Sequence, residues 1–203
     1  MYSSSDFNNL RDAGFDDTYS CVESAMRFYN SDPITCCGKF RQALEASIVE
    51  LCGILNKQIE GDLIIQINKL NEYIPRKFRS DKLVEEMHIL RTIGNKYAHF
   101  SNEERNPETD RLTCYCAMKN VSEWMVNFSI GYPEYLKEEE QKRKEEEQKR
   151  KEEEQKRKEE EQKRKEEEQK RKERFGKVLK PVVIVVAAVA AIAGAVFAGR
   201  SKN

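Results

Sequence analysis

Arg91, Asn95 and His99 stand four residues apart in the stretch RTIGNKYAHF, residues 91–100. On a helix, that spacing brings the three side chains to one side. An imidazole titrates near neutrality and can move a proton, and a guanidinium can hold a phosphate through two parallel N–H groups. The same residues also suit the capped end of a helix. His99 would be a cation where the helix dipole favours one, Arg91 could pair with Glu45 on a neighbouring helix, and Gly94 suits close approach of two helices. Arg91 and His99 would lie ~12 Å apart along the axis and roughly 80° apart around it. Asn95 sits between them and can bridge that gap, so the spacing alone leaves both readings open. His88, on the same stretch, reads as a surface or core residue rather than a ligand.

The elements that must position these residues are helical. Tyr19, Val22, Met26 and Tyr29 recur at three- and four-residue spacing behind an acidic opening turn. Ser31-Asp32-Pro33 starts a second helix with Phe40, Leu44, Ile48, Leu51 and Leu55 on one face. Gly61-Asp62 precedes LIIQINKLNEYI, which Pro75 ends. Ser80-Asp81 precedes the helix that carries the motif, with Leu83, Met87, Leu90 and Ile93 on its apolar side. A last helix, RLTCYCAMKNVSEWMVNF, is expected to stop near Gly131-Tyr132-Pro133. Five helices over about 130 residues are enough for one packed core.

The order SDP…FRQALEASIVEL, a polar break, then LRTIGNKYAHF resembles the HEPN superfamily, most closely a bacterial branch whose motif reads R-x-x-G-N-x-x-A-H. The resemblance covers roughly residues 15–130 and rests on Arg41 with Glu45, and on Arg91, Gly94, Asn95, Ala98 and His99. It implies an all-α, five-helix HEPN-like bundle, kinship with defence-associated proteins, and a homodimer. Many HEPN domains are metal-independent ribonucleases in which an Arg and a His from each subunit line a shared cleft. On that basis Arg91, Asn95 and His99 would be catalytic, while Arg41, Glu45 and Gly94 form the structural part of the motif. Here the Arg-to-His spacing is longer than the usual catalytic pattern, and Thr92 stands where a polar residue follows the Arg.

Charge and cysteines narrow the classes. Residues 1–136 hold 15 Lys and Arg against 20 Asp and Glu, and the remainder holds 21 against 16. The net-acidic N-terminal part lacks the broad positive field of a nucleic-acid binder, so DNA is an unexpected partner, although Arg76-Lys77-Phe78-Arg79 could meet a phosphate. The six cysteines at 21, 36, 37, 52, 114 and 116 form no C-x-x-C pair and read as reduced thiols of a cytosolic domain. No cleavable signal is read at the polar N-terminus. No metal-ligand spacing, phosphate-binding Gly-rich loop or nucleophile–base pair is present, so no cofactor and no metal are expected.

Beyond residue 136 the composition changes twice. KEEEQKR occurs five times unchanged, at 137, 144, 151, 158 and 165. A seven-residue period invites the label coiled coil, but no position of the heptad is apolar, so there is no seam. Glu138, Glu139 and Glu140 each face a basic residue four places on, which predicts a single solvated helix of about 38 residues, ~57 Å long. A disordered charged tether is the competing reading. Residues 182–199 then carry no charged side chain, which predicts a transmembrane helix within 178–199 and a short tail at 200–203. Small residues at Ala187, Ala191, Ala195 and Gly199, and at Ala190, Gly194 and Ala198, suit helix packing in lipid.

The expected organisation is therefore a helical domain at 1–135, a charged stalk at 136–177 and a single-pass C-terminal anchor. The N-terminal domain would face the cytoplasm by the positive-inside rule, with the lipid bilayer as a partner. The leading functional expectation is a membrane-tethered interaction or sensor module with a protein partner. The alternatives are a membrane-localised ribonuclease acting on RNA and a membrane-perturbing effector.

Overall fold

Helices begin where short polar side chains can take up the unpaired amides of a first turn. The Asp32 carboxylate accepts from the Thr35 N–H at 3.1 Å, Asp62 from the Ile65 N–H at 2.9 Å, and the Ser80 hydroxyl oxygen from the Leu83 N–H at 3.4 Å. Pro33 follows Asp32 in the first turn, where a missing N–H leaves nothing unpaired. In a computed structural model the resulting elements are α1 (Asn8–Asp12), α2 (Asp16–Phe28), α3 (Pro33–Ile54), α4 (Leu63–Tyr73), α5 (Asp81–Ala98) and α6 (Pro107–Gly199). Short 3-10 turns occupy Ser4–Phe7 and Arg76–Phe78. The structure describes residues 2–98 and 106–199, with the side chains of 175–199 left aside.

Among the described residues, six α-helices replace the five expected up to residue 135 plus a separate stalk. The first difference lies at the N-terminus, which reads as polar. Ser3 and Asp6 close a reciprocal cap on the first turn, and that turn carries Phe7 and Leu10 into full burial. The Tyr115 hydroxyl donates to Asp6 at 2.6 Å. This bond, together with the Ser3 N–H, holds the Asp6 carboxyl below its ordinary value.

Helix α3 is central, packed against α2 on one side and α5 on another, with α4 against α5. Its buried positions Phe40, Leu44, Ile48 and Leu51 follow the apolar face read from the sequence. The first part of α6 closes the same core through Cys114, Met118, Val121, Met125 and Phe128. Helix α2 is preceded by Phe15, which supplies no side-chain cap. The cap comes instead from α3, where Glu50 accepts from the N–H groups of Asp17 at 3.0 Å and Thr18 at 3.2 Å and from the Thr18 hydroxyl at 2.5 Å. A carboxylate at a helix N-terminus is favoured by the dipole as well as by these bonds. Glu50→Ala is expected to lower the unfolding free energy by about 1–2 kcal/mol, the range for losing a cap. Urea titration read on the single tryptophan, Trp124, checks it.

The second difference is at Gly131-Tyr132-Pro133, where no helix end occurs. Proline in a helix interior removes one hydrogen bond and crowds the preceding turn, a cost of ~3 kcal/mol. The offsetting contacts come from the 3-10 turn at Arg76–Phe78. The Phe78 ring meets Phe128 edge-on at 5.2 Å, and Tyr132 at 6.4 Å and Tyr135 at 5.8 Å are its other ring neighbours on α6. A Cβ at residue 131 would lie 3.0 Å from that ring, so the glycine that reads as a stop makes room for Phe78.

The chain divides into two units, Met1–Lys137 and Glu138–Asn203. In the second, every described side chain is exposed and charged or amide-bearing. The expected transmembrane helix, and with it the fold class that ended in one and the single-pass, tail-anchored membrane localisation, are corrected here. Among the described residues no helix is long and apolar enough to cross a membrane. The physical reason is that the long helices whose side chains are described spend their apolar residues on one face against the domain core or, over residues 138–174, have none. An ionised side chain at the bilayer centre costs at least ~2.5–3.5 kcal/mol. The side chains of residues 178–199, including the small-residue rows at Ala187, Ala191, Ala195 and Gly199 and at Ala190, Gly194 and Ala198, lie outside the described residues.

Candidate functional site at the seam of two helices

The motif on α5 meets α3 at close quarters. A Cβ built on Gly94 would stand 2.4 Å from the Cβ of Arg41, so only glycine permits this approach. The Arg41 aliphatic stem lies over Gly94, and its head makes two bonds. Its Nε donates to Asn95 Oδ1 at 2.7 Å across the seam, and its Nη1 pairs with Glu45 Oε1 at 2.8 Å one turn along α3. Arg41, Glu45, Gly94 and Asn95 therefore form one contiguous contact. Glu45, which the sequence offers as a partner for Arg91, is paired with Arg41.

Arg91 is placed differently. Its terminal Nη2 donates to the Thr92 hydroxyl at 3.2 Å, while its Nε is buried with no hydrogen-bond partner among the described residues. One turn earlier, His88 Nδ1 is likewise buried without a partner. Burial, and secondarily the Arg91 charge, lower the His88 pKa below its ordinary 6.5. His99 lies outside the described residues, so its distance from Arg91 and Asn95 is not part of this geometry.

A cleft of about 310 Å³ opens beside the seam, lined on α3 by Thr35, Gly38 and Arg41 and on α5 by Gly94 and Tyr97. The end of α5 is tied to the start of α6 by a clasp that the sequence does not reveal. Lys96 Nζ reaches Asp110 at 3.0 Å and the Tyr97 hydroxyl donates to the same carboxylate oxygen at 2.5 Å, with Lys96 and Asp110 side chains each 15% exposed. In the sequence, Asp110 is only the last acidic residue of the polar stretch SNEERNPETD, because its partners lie 14 and 13 residues earlier in the chain. Among the described residues, no group of three or more His, Cys, Asp or Glu is arranged to hold a metal ion.

Residues 23–149, more than half of the chain, match the family described as a domain of unknown function, DUF4145. The chain belongs to the DUF4145 family. No curated protein and no solved structure matches it. The matched region of this DUF4145 protein contains the whole α3–α5 seam and runs past Lys137 into the charged repeats.

The cysteines of the DUF4145 domain are free. Burial pushes the Cys36 thiol to about 12, and the Cys52 and Cys21 thiols are also raised by burial. Cys116, by contrast, is exposed.

His88 predicts a pH dependence whose sign follows from its lowered pKa. The unfolded chain binds the His88 proton more tightly than the folded one, so stability is present above pH 6.5 and is lost as pH falls from there through the folded pKa. His88→Gln is expected to reduce that slope. Urea midpoints at pH 7.5, 6.5 and 5.5 for the two proteins check it.

Proposed function

We propose that the helical domain is a HEPN-like interaction or sensor module, acting through a protein partner, in which the Arg-x-x-Gly-Asn motif holds α3 against α5. The observation that supports this reading is the commitment of the motif's own polar groups. Asn95 is taken up by Arg41, and Gly94 serves a backbone approach that any side chain would obstruct. A catalytic amide needs its oxygen or its N–H groups available to substrate, and the Asn95 oxygen here already accepts a charge-assisted bond.

One observation favours the second reading, a metal-independent ribonuclease of HEPN type acting on RNA as a homodimer. The Nε of Arg91 is buried and unpartnered, and buried polar atoms are normally satisfied, so a missing partner is a place for a ligand group. Arg91 would then stabilise phosphate charge and His99 would move the proton.

The test is incubation of the full-length protein with single-stranded and structured RNAs without added metal, alongside Arg91→Ala and His99→Ala variants that retain the native urea midpoint. The interaction reading expects no cleavage above buffer by any of the three. Cleavage by the native protein that falls by a hundredfold or more in both variants would replace it with the ribonuclease reading.

A further inference from the structure

The five KEEEQKR repeats are linked to one another by ion pairs that cross their junctions. Glu140 pairs with Lys144 at 2.7 Å, Glu147 with Lys151 at 2.7 Å, Glu154 with Lys158 at 2.7 Å, Glu161 with Lys165 at 2.6 Å, and Glu168 with Lys172 at 2.7 Å. The first four pairs join the last glutamate of one repeat to the first lysine of the next, and the fifth joins the last repeat to Lys172 beyond it. The amides do the same: Gln141 donates to Glu145 at 3.1 Å, Gln148 to Glu152 at 3.1 Å and Gln155 to Glu159 at 3.3 Å. All four junctions between repeats therefore carry the same ion pair, the first three also carry the amide bond, and Lys172, the first residue after the fifth repeat, repeats the ion pair at its end.

The arrangement around the axis matters as much as that along it. At 3.6 residues per turn, the order around the helix is Lys137, Gln141, Glu138, Lys142, Glu139, Arg143, Glu140. No two like charges are neighbours in that ring, and none of the seven is apolar. A seven-residue repeat drifts by only ~20° per unit, so these become gently winding stripes, six charged ones of alternating sign and one of neutral glutamine. Such a surface has no apolar seam for a second helix, no positive face for a nucleic acid and no negative face for a basic partner.

We propose that this segment is a ruler: a non-associating helical spacer whose reach is set by the number of repeats, in equal steps. It does not rest on what the helical domain binds. Removing any one repeat regenerates the same junction, so the remaining ion pairs and amide bonds are kept and only the length changes. Each repeat contributes ~10.5 Å at 1.5 Å per residue. This explains why seven residues, two turns of helix, is the unit copied without change.

The test uses the full chain and versions with four and three repeats. Donor and acceptor dyes are attached through non-natural amino acids at positions 136 and 174, which leaves the six cysteines untouched. The expected separations are ~57 Å, ~47 Å and ~36 Å, each independent of protein concentration. A flexible coil of the same length would span ~34 Å and shorten by only ~3 Å per repeat removed. Steps that small, or a separation that changes with protein concentration, would overturn the proposal, the first pointing to a disordered tether and the second to association between copies.

Discussion

Gly94→Ala is expected to destabilise the domain by about 2 kcal/mol, against the usual sign for glycine in a helix. In an exposed helix interior, replacing glycine by alanine gains ~1 kcal/mol through propensity. At Gly94 the added methyl would lie 2.4 Å from Arg41 Cβ and 2.7 Å from Arg41 Cδ. The first of these atoms is fixed to the α3 backbone, so the clash can be relieved only by moving α3 and α5 apart. Overpacking of this kind costs ~1–3 kcal/mol, occasionally more, and the separation would also break the Arg41–Asn95 bond. The internal control is Gly53, an exposed helical glycine on α3 where a Cβ would meet nothing within 4 Å. Gly53→Ala is expected to stabilise by ~0.5–1 kcal/mol. Urea titrations of the two variants should move in opposite directions, and equal shifts of one sign would mean that the seam is not packed as described.

Phe128→Ala should cost more, about 3–5 kcal/mol. Phe128 is 1% exposed and stacks on Trp124 at 5.0 Å and on Tyr132 at 4.9 Å, with Phe78 edge-on at 5.2 Å. Its removal leaves a cavity among rings that are too rigid to collapse into it. Its second effect is local. The contacts among Phe78, Phe128 and Tyr132 offset the presence of Pro133 within α6, so their loss should let the helix fray around that proline. Hydrogen exchange is expected to accelerate at residues 129–137 by more than the global destabilisation explains. The Trp124 signal reports the domain alone, whereas circular dichroism would be dominated by the charged helix that follows. Unchanged exchange around Pro133 in Phe128→Ala would mean that the helix needs no aromatic support there.

These two variants mark what could and could not be read in advance. The sequence alone determined the class of every long element, because the signals are local. An Asp32-Pro33 start, an Asp62 cap and a Ser80 cap act within four residues, and the apolar face of α3 is a matter of spacing along one helix. The charged repeat is legible for the same reason, since its bonds join residues three or four apart. It also marked Gly94 as a residue suited to close helix approach. Tertiary structure decided which partner each side chain took. Glu45 is four residues from Arg41 but equally available in principle to Arg91, and only the rotation of α5 about its axis gave Asn95 to Arg41 and left Arg91 Nε without a partner. The cap of α2 comes from Glu50, 33 residues beyond Asp17, and Phe78 carries α6 through a glycine and a proline that read as its end. The apolar run near the C-terminus shows the limit from the other side: composition indicated a membrane span, and among the described residues no helix meets that requirement. Local bonds are fixed by distance along the chain, whereas the contacts that define the seam, the borrowed cap and the continued helix join residues that become neighbours only when the core closes.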